Sequence, residues 1–398
     1  MFRPMFGSRQ PAGGSAAPTP NAERLLAPDL ARGLMLLLIA LAHSRMLHAG
    51  GLSMAAPSGG GPLDVAVQWL LTSVVDGRAA PLFGLLFGYG LVQMTRRRSG
   101  PGGDSAQARR LIRRRGAWMI VFGVAHVVLL YSGDVIGAYG VFALMFAGAV
   151  SWSDRRLWTI AALTLVLGAA ASAALQVVAG ADTPLPVGPT LVDSAMLRAS
   201  ALPVVPIAGL AVMPSVLIGV WAGRMRVLEQ PDRYRPLLRG VVLIGFPVAV
   251  LGAQPVALRA VGVWTPDTPE VGVVASAVFG ATGVAGGLAF AAAIALVAVR
   301  VNDRRGRVTN ALVACGRRSM TFYIAQSPVW LVATEPSLLD LGGGLGAAAA
   351  AGVAVATWVV TVVIADVLRR TGRRGPAETL LRHLTYRPGP GHPRPAPP

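Results

Sequence analysis

Long apolar runs alternate along this chain with short loops that carry most of its charge. Many runs reach the roughly 20 residues that span a bilayer core as a helix. They are unbroken, without the in-out alternation of a membrane β-strand. The pattern predicts an all-α, polytopic transmembrane bundle of about ten spans. These fall near 30–48, 66–94, 115–131, 135–151, 157–179, 202–222, 237–258, 271–299, 310–333 and 344–367. The second run is too long for one straight crossing, so 63–72 reads as an interfacial helix and the crossing starts near Ala79.

Arginine placement supports this division and orients it. The loops at 96–98 and 109–115, 155–156, 224–235, 300–318 and 369–382 are basic, whereas the alternate loops hold only Arg198 and Arg259. Every second loop is therefore positive, as the positive-inside rule requires, and both termini are expected in the cytoplasm. Residues 1–28 read as a disordered Pro/Gly/Ala-rich leader, 29–386 as one transmembrane domain and 387–398 as a disordered Pro-rich tail. Trp118, Trp152, Trp158 and Trp221 fall near cytoplasmic span ends, as interfacial anchors do. Gly84 and Gly88 form a small-residue stripe suited to close helix packing.

Composition agrees: 54% of residues are hydrophobic and 14% are charged, and mean hydropathy is +0.58. The net charge of +18 suggests nucleic acid, but the arginines sit where topology signals belong, so no nucleic-acid partner is expected. The single cysteine, Cys315, permits neither an internal disulfide nor a thiolate metal site, and no metal is expected. No P-loop, G-x-S-x-G or H-E-x-x-H motif occurs.

The candidate chemistry lies in polar residues at membrane depth. Arg32 and His43 differ by about 20° around the helix axis and are separated by about 16 Å, and Asp29 lies near the same line. That face is expected to look into the protein, because lipid penalises it. His126, Asp134, Asp76 and Arg78 share the outer third of the bilayer with His43. Asp134 reads as a helix N-cap, as the carboxylate partner of an imidazole, or as both. Asp76 and Arg78 read either as an interfacial ion pair or as part of the site, and His48 reads as exposed and incidental. At the cytoplasmic edge Arg110 and Arg113 read as topology signal or as a phosphate clamp. Ser319, Thr321, Tyr323, Gln326 and Ser327, ended by Pro328, form a polar run: a kinked helix, or a substrate-lining surface.

Several segments resemble the YeiB-like bacterial membrane proteins, the domain-of-unknown-function 418 family. They are Asp29-Leu-Ala-Arg32-Gly33; Asp76-Gly-Arg78 with Leu82-Phe-Gly-Leu-Leu-Phe-Gly88; Gly123-Val-Ala-His126 with Gly133-Asp134-Val-Ile; Cys315-Gly316-Arg317-Arg318-Ser-Met320 leading to Tyr323 and Gln326; and Gly375-Pro376-Ala-Glu378 ending in Leu384-Thr385-Tyr386. The family-defining part corresponds to about 225–386, and the segments span nearly the whole chain. The resemblance extends more distantly to the membrane acyltransferases of family 3 and the heparan glucosaminide acetyltransferase-like group. Arg32 and His43 match their first-helix pattern, and Arg110 and Arg113 match their Arg-x-x-Arg. YeiB-like chains often carry Asn at the position of His43, so this chain departs towards the catalytic group.

What the resemblance implies is a transmembrane O- or N-acyltransferase in the bacterial inner membrane, with acyl-CoA as donor substrate, a cell-envelope acceptor and no tightly bound cofactor. His43 would be the general base or would transiently carry the acyl group, with Asp134 or Asp76 orienting an imidazole and Arg78 or Gln326 facing the oxyanion. Arg32, Asp29, Asp76, Arg78, Arg110, Arg113 and Gln326 would bind substrate, and His43, Asp134 and His126 would be catalytic. The alternative is a transporter or flippase that uses the same buried ionisable residues as a proton or substrate path.

Overall fold

The computed structural model describes residues 26–49, 60–96, 105–179, 187–302 and 305–386; the tail 387–398 and the first 25 residues of the predicted leader 1–28 lie outside them, whereas Leu26, Ala27 and Pro28 of that leader are helical and buried. The described residues are helical, with no strand. The first helix, α1 (Leu26–His43), is followed after Ser44 by the single turn α2 (Arg45–His48). Then come α3 (Pro62–Leu70), a π-helical turn (Leu71–Val75) and α4 (Ala79–Arg96). The chain continues through α5 (Ser105–Leu129), α6 (Ile136–Met145), α7 (Asp154–Ala179), α8 (Leu191–Ser200), α9 (Val204–Gly209) and α10 (Met213–Arg224). It ends with α11 (Arg235–Ala260), α12 (Pro269–Asn302), α13 (Arg307–Gly316), α14 (Ser319–Thr334), α15 (Ala347–Arg370) and α16 (Pro376–Tyr386).

Among the described residues, six helical stretches are long and apolar enough to cross a membrane: 26–48, 62–96, 154–175, 235–260, 269–302 and 347–370. The other four expected spans correspond to α5, α6, α9 with α10, and α13 with α14. Those are short, broken or arginine-rich, for physical reasons. The 310–333 run breaks at Arg317–Arg318, where Arg317 Nε reaches the carboxylate of Asp29 and Arg318 donates to the carbonyls of Ala314 and Arg373. These polar anchors hold the break at the basic end of the bundle. The long second run divides as expected, with the crossing helix starting at Ala79.

Burial sorts the helices by role. No described residue of α1 is exposed, because α4, α12, α13, α14 and α15 pack around it. By contrast α7, α11 and α15 present large apolar side chains outward, among them Val166, Leu243, Leu251 and Val363. In water such faces would be a liability; a bilayer covers them at no cost. The protein is a multi-pass helical membrane protein.

The Gly84–Gly88 stripe is where α4 meets α10. A Cβ on Gly88 would meet the backbone carbonyl of Val216, and one on Gly219 would meet that of Leu85. Backbone-to-backbone contact of this kind is how helices associate where burial from water supplies no force. It also fixes the rotation of α4, and with it the position of residues 76–78.

Candidate functional site

At the basic end of α1 the carboxylate of Asp29 holds two guanidinium groups. Arg32 Nη1 lies 3.1 Å from Oδ1, one helical turn on, and Arg317 Nε lies 3.1 Å from Oδ2. Arg115 of α5 stands within electrostatic reach of Arg32, Glu378 and Tyr386, so positive charge exceeds negative here. Arg110 and Arg113 are exposed on the first turns of α5.

His43 closes the other end of α1. Its ring stands 4.4 Å from that of Tyr131, 6.2 Å from Trp330 and 6.4 Å from Tyr323, centroid to centroid. Its Nδ1 is buried with no hydrogen-bond partner, and no carboxylate lies against it among the described residues. The expected interior orientation of this face holds, but the carboxylate does not serve His43.

It serves His126 instead. Nδ1 of His126, near the end of α5, lies 3.0 Å from Asp134 Oδ1, although off the line of a good hydrogen bond. On the other side of the ring, Nε2 lies 2.7 Å from Oγ of Ser327, on α14. The other carboxylate oxygen, Oδ2 of Asp134, accepts from the backbone N–H of Gly137 at 2.6 Å, so Asp134 caps α6 as well as facing the imidazole. Both readings of that residue hold together. Ser327, His126 and Asp134 are 0%, 3% and 5% exposed. Tyr323 and Tyr131 link the two histidines: their rings stand 5.2 and 6.5 Å from His126 and also flank His43. Such an arrangement supplies an oriented base and a hydroxyl within its reach, shielded from water.

Asp76 and Arg78 do not pair side chain to side chain. The chain leaves the π-turn through Gly77, whose positive φ of 74° favours glycine, and this swings the two side chains apart. Asp76 Oδ2 meets Arg45 Nη1 at 2.5 Å, in a buried ion pair. Arg78 donates to the carbonyls of Thr72, Asp76 and Ala249 and lies over the ring of Phe279, 4.6 Å from its centroid. Its Nη1 and Nη2 are engaged by these backbone carbonyls, while its Nε is buried with no hydrogen-bond partner. Gln326 is 1% exposed; its Nε2 reaches the carbonyl of Leu36 at 3.4 Å. His48, read from sequence as exposed, is 1% exposed: α2 turns it inward, towards Arg45 and Asp64.

The family-like segments around α14 and α16 have a structural explanation. Glu378 accepts from the backbone N–H groups of Met320 (2.8 Å) and Thr321 (3.1 Å) and from the Thr321 hydroxyl (2.5 Å). It thereby caps, from a distant helix, the N-terminus of the helix that carries Tyr323 and Ser327. Among the described residues no group of three or more His, Cys, Asp or Glu is arranged to hold a metal ion.

Sequence reasoning placed Ser327 only in a polar run, and it missed Arg45 and Tyr131. The pairing of Ser327 with His126 crosses 201 positions and leaves no local signal. Arg45 had one: an arginine just beyond the membrane end of α1, on the side otherwise poor in arginine, needs a counter-charge.

A family model described as "Protein of unknown function (DUF418)" matches residues 222–388, which include Ser327 but not His43, His126 or Asp134. The chain is also similar to "Uncharacterized protein YxaH" of Bacillus subtilis (strain 168), at 23% identity over 407 residues, covering 94% of this chain and 96% of that protein.

Proposed function

We propose that this chain, a multi-pass membrane protein of the DUF418 family, is a transmembrane acyltransferase in which His126 is the base and Ser327 the hydroxyl it activates. One observation carries the reading: a single buried imidazole lies between a carboxylate and a hydroxyl, 3.0 Å from one and 2.7 Å from the other. The base assigned to His43 from sequence passes to His126, because that ring has both an orienting carboxylate and a proton to take.

The steps balance as follows. Nε2 of neutral His126 accepts the Ser327 proton while Oγ attacks the thioester carbonyl of acyl-CoA. The C–S bond breaks, the thiolate leaves with that proton, and an acyl-serine ester remains. An acceptor hydroxyl or amine then gives its proton to Nε2 and attacks the ester, releasing Ser327 Oγ, which takes the proton back. Asp134 holds the ring orientation and stabilises each transient imidazolium. His43, across Tyr131 and Tyr323, lines the acceptor side. In the positive-inside orientation, the end carrying Arg32, Arg115 and Arg317 faces the cytoplasm and the CoA phosphates, with Arg110 and Arg113 at its entrance.

The test is covalent labelling of purified protein with an alkyl fluorophosphonate, together with acyl-CoA turnover. Wild type should be labelled at Ser327 and release CoA; Ser327→Ala and His126→Ala should do neither. Equal labelling of Ser327→Ala, or wild-type turnover in both variants, overturns the assignment. Solute flux into liposomes without acyl-CoA would favour transport.

A further inference from the structure

Arg198 lies on the side of the bundle that is otherwise poor in arginine, yet it is only 5% exposed. It belongs to α8, whose two buried residues are Ser194 and Arg198, four apart on one face. On the opposite face Val192 and Met196 point outward. Polar contacts, not apolar burial, therefore hold α8 in place.

Those contacts reach both helices that carry the site. Arg198 Nε donates to the carbonyl of Val128 at 3.1 Å, in the last turn of α5 and two residues beyond His126. Helix α5 ends at Leu129, so that carbonyl has no partner within the helix, and a guanidinium there also meets the negative end of the dipole. Nη1 of the same group lies 3.4 Å from Oε2 of Glu335, the residue that follows α14. The hydroxyl of Ser194 donates to the other carboxylate oxygen, Oε1. Glu335 is fully buried and sits at a helix C-terminus, where the dipole disfavours an anion. The guanidinium offsets both penalties, and its planar fork bridges the outer ends of α5 and α14. At their other ends the same two helices are joined by α16, which packs along α5 and caps α14 through Glu378. His126 and Ser327 lie between the two ties.

We propose that Arg198 is a positioning residue: by bracketing α5 to α14 it keeps the imidazole of His126 within hydrogen-bond reach of the Ser327 hydroxyl. Its effect on turnover rests on the acyl-transfer reading; the bracket itself does not. A misplacement of about 1 Å between reacting groups can lower a rate by about 10²-fold, so a tie at this distance has leverage on the chemistry.

The test combines acyl-CoA turnover with amide hydrogen exchange on the full chain in detergent. Arg198→Lys keeps a positive charge beside Glu335 but loses the fork that reaches both partners. Its kcat should fall by about 10²-fold, with KM for acyl-CoA unchanged because the CoA phosphates bind at the far end of the bundle. Arg198→Met, which also removes the counter-charge of Glu335, should fall at least as far. Arg259→Met, at the other arginine of this side, should keep wild-type kcat. Exchange should quicken over 126–131 and 327–335 in both Arg198 variants and stay unchanged in α11 and α12, which shows that the bundle remains folded. Wild-type kcat in both Arg198 variants, an effect confined to KM, an equal loss in Arg259→Met or unchanged exchange each overturns the proposal. Turnover by wild type that is indifferent to Arg198 removes the bracket and leaves acyl transfer standing. Faster exchange at those two segments in a protein without turnover does the reverse.

Discussion

The hydroxyl of Ser327 sits 2.7 Å from the imidazole of His126, and that imidazole sits 3.0 Å from Asp134. Three helices supply this line: α5 brings the ring, α6 begins just after the carboxylate, and α14 brings the hydroxyl. A base that is oriented on one side and loaded on the other costs little to reorganise when a proton moves.

The two histidines should therefore differ in weight. His126→Asn is expected to lower acyl-CoA turnover by about 10²–10⁴-fold, the usual worth of a general base. His43→Asn, which keeps a polar side chain against Tyr131, should lower it less than tenfold. Parallel turnover assays on the two variants check this; an equal or greater loss at His43 would return the base role to α1.

The Arg45–Asp76 pair has both side chains below 10% exposed, at 8% and 5%. Removing one partner takes this counter-charge from a buried charge, at a cost of up to about 3–5 kcal/mol. Asp76→Asn should thus sharply lower the unfolding midpoint in detergent, and adding Arg45→Met should recover much of the loss. A double variant as unstable as the sum of the singles would show that the two residues act independently.

Glycine variants should separate packing from propensity. Gly88→Val drives a branched side chain into the α10 backbone at Val216 and should cost about 1–3 kcal/mol or more. Gly240→Ala, in α11 where a Cβ meets nothing within 4 Å, should be neutral or stabilising by up to about 1 kcal/mol. Midpoints from fluorescence-detected thermal unfolding provide the comparison.

Glu378 holds the start of α14 through three hydrogen bonds. Glu378→Ala should destabilise by about 1–2 kcal/mol, the upper range for a lost cap. Glu378→Gln, which still offers a carbonyl oxygen, should cost less. Because α14 carries Ser327, fluorophosphonate labelling should slow in Glu378→Ala. Unchanged labelling would confine this contact to stability.

What the sequence determined by itself is everything that depends on single segments meeting a solvent. Apolar run length yields the all-α membrane class, and the Gly84–Gly88 stripe announces a close helix contact. The interior face of α1 was legible because an arginine and a histidine about three turns apart cannot both face lipid. The tertiary structure alone decided which groups meet. Asp134 faces His126 and not His43, and Asp76 takes Arg45 and not Arg78. His48 turns inward, and Ser327 becomes the partner of a histidine 201 positions away. Hydropathy records how deep a residue sits, but the pairings depend on how each helix is rotated about its axis and which helices become neighbours. Backbone contacts at Gly88 and Gly219 and the Glu378 cap set those angles by joining positions that no local pattern connects, and the turn at Gly77 separates two near neighbours, Asp76 and Arg78.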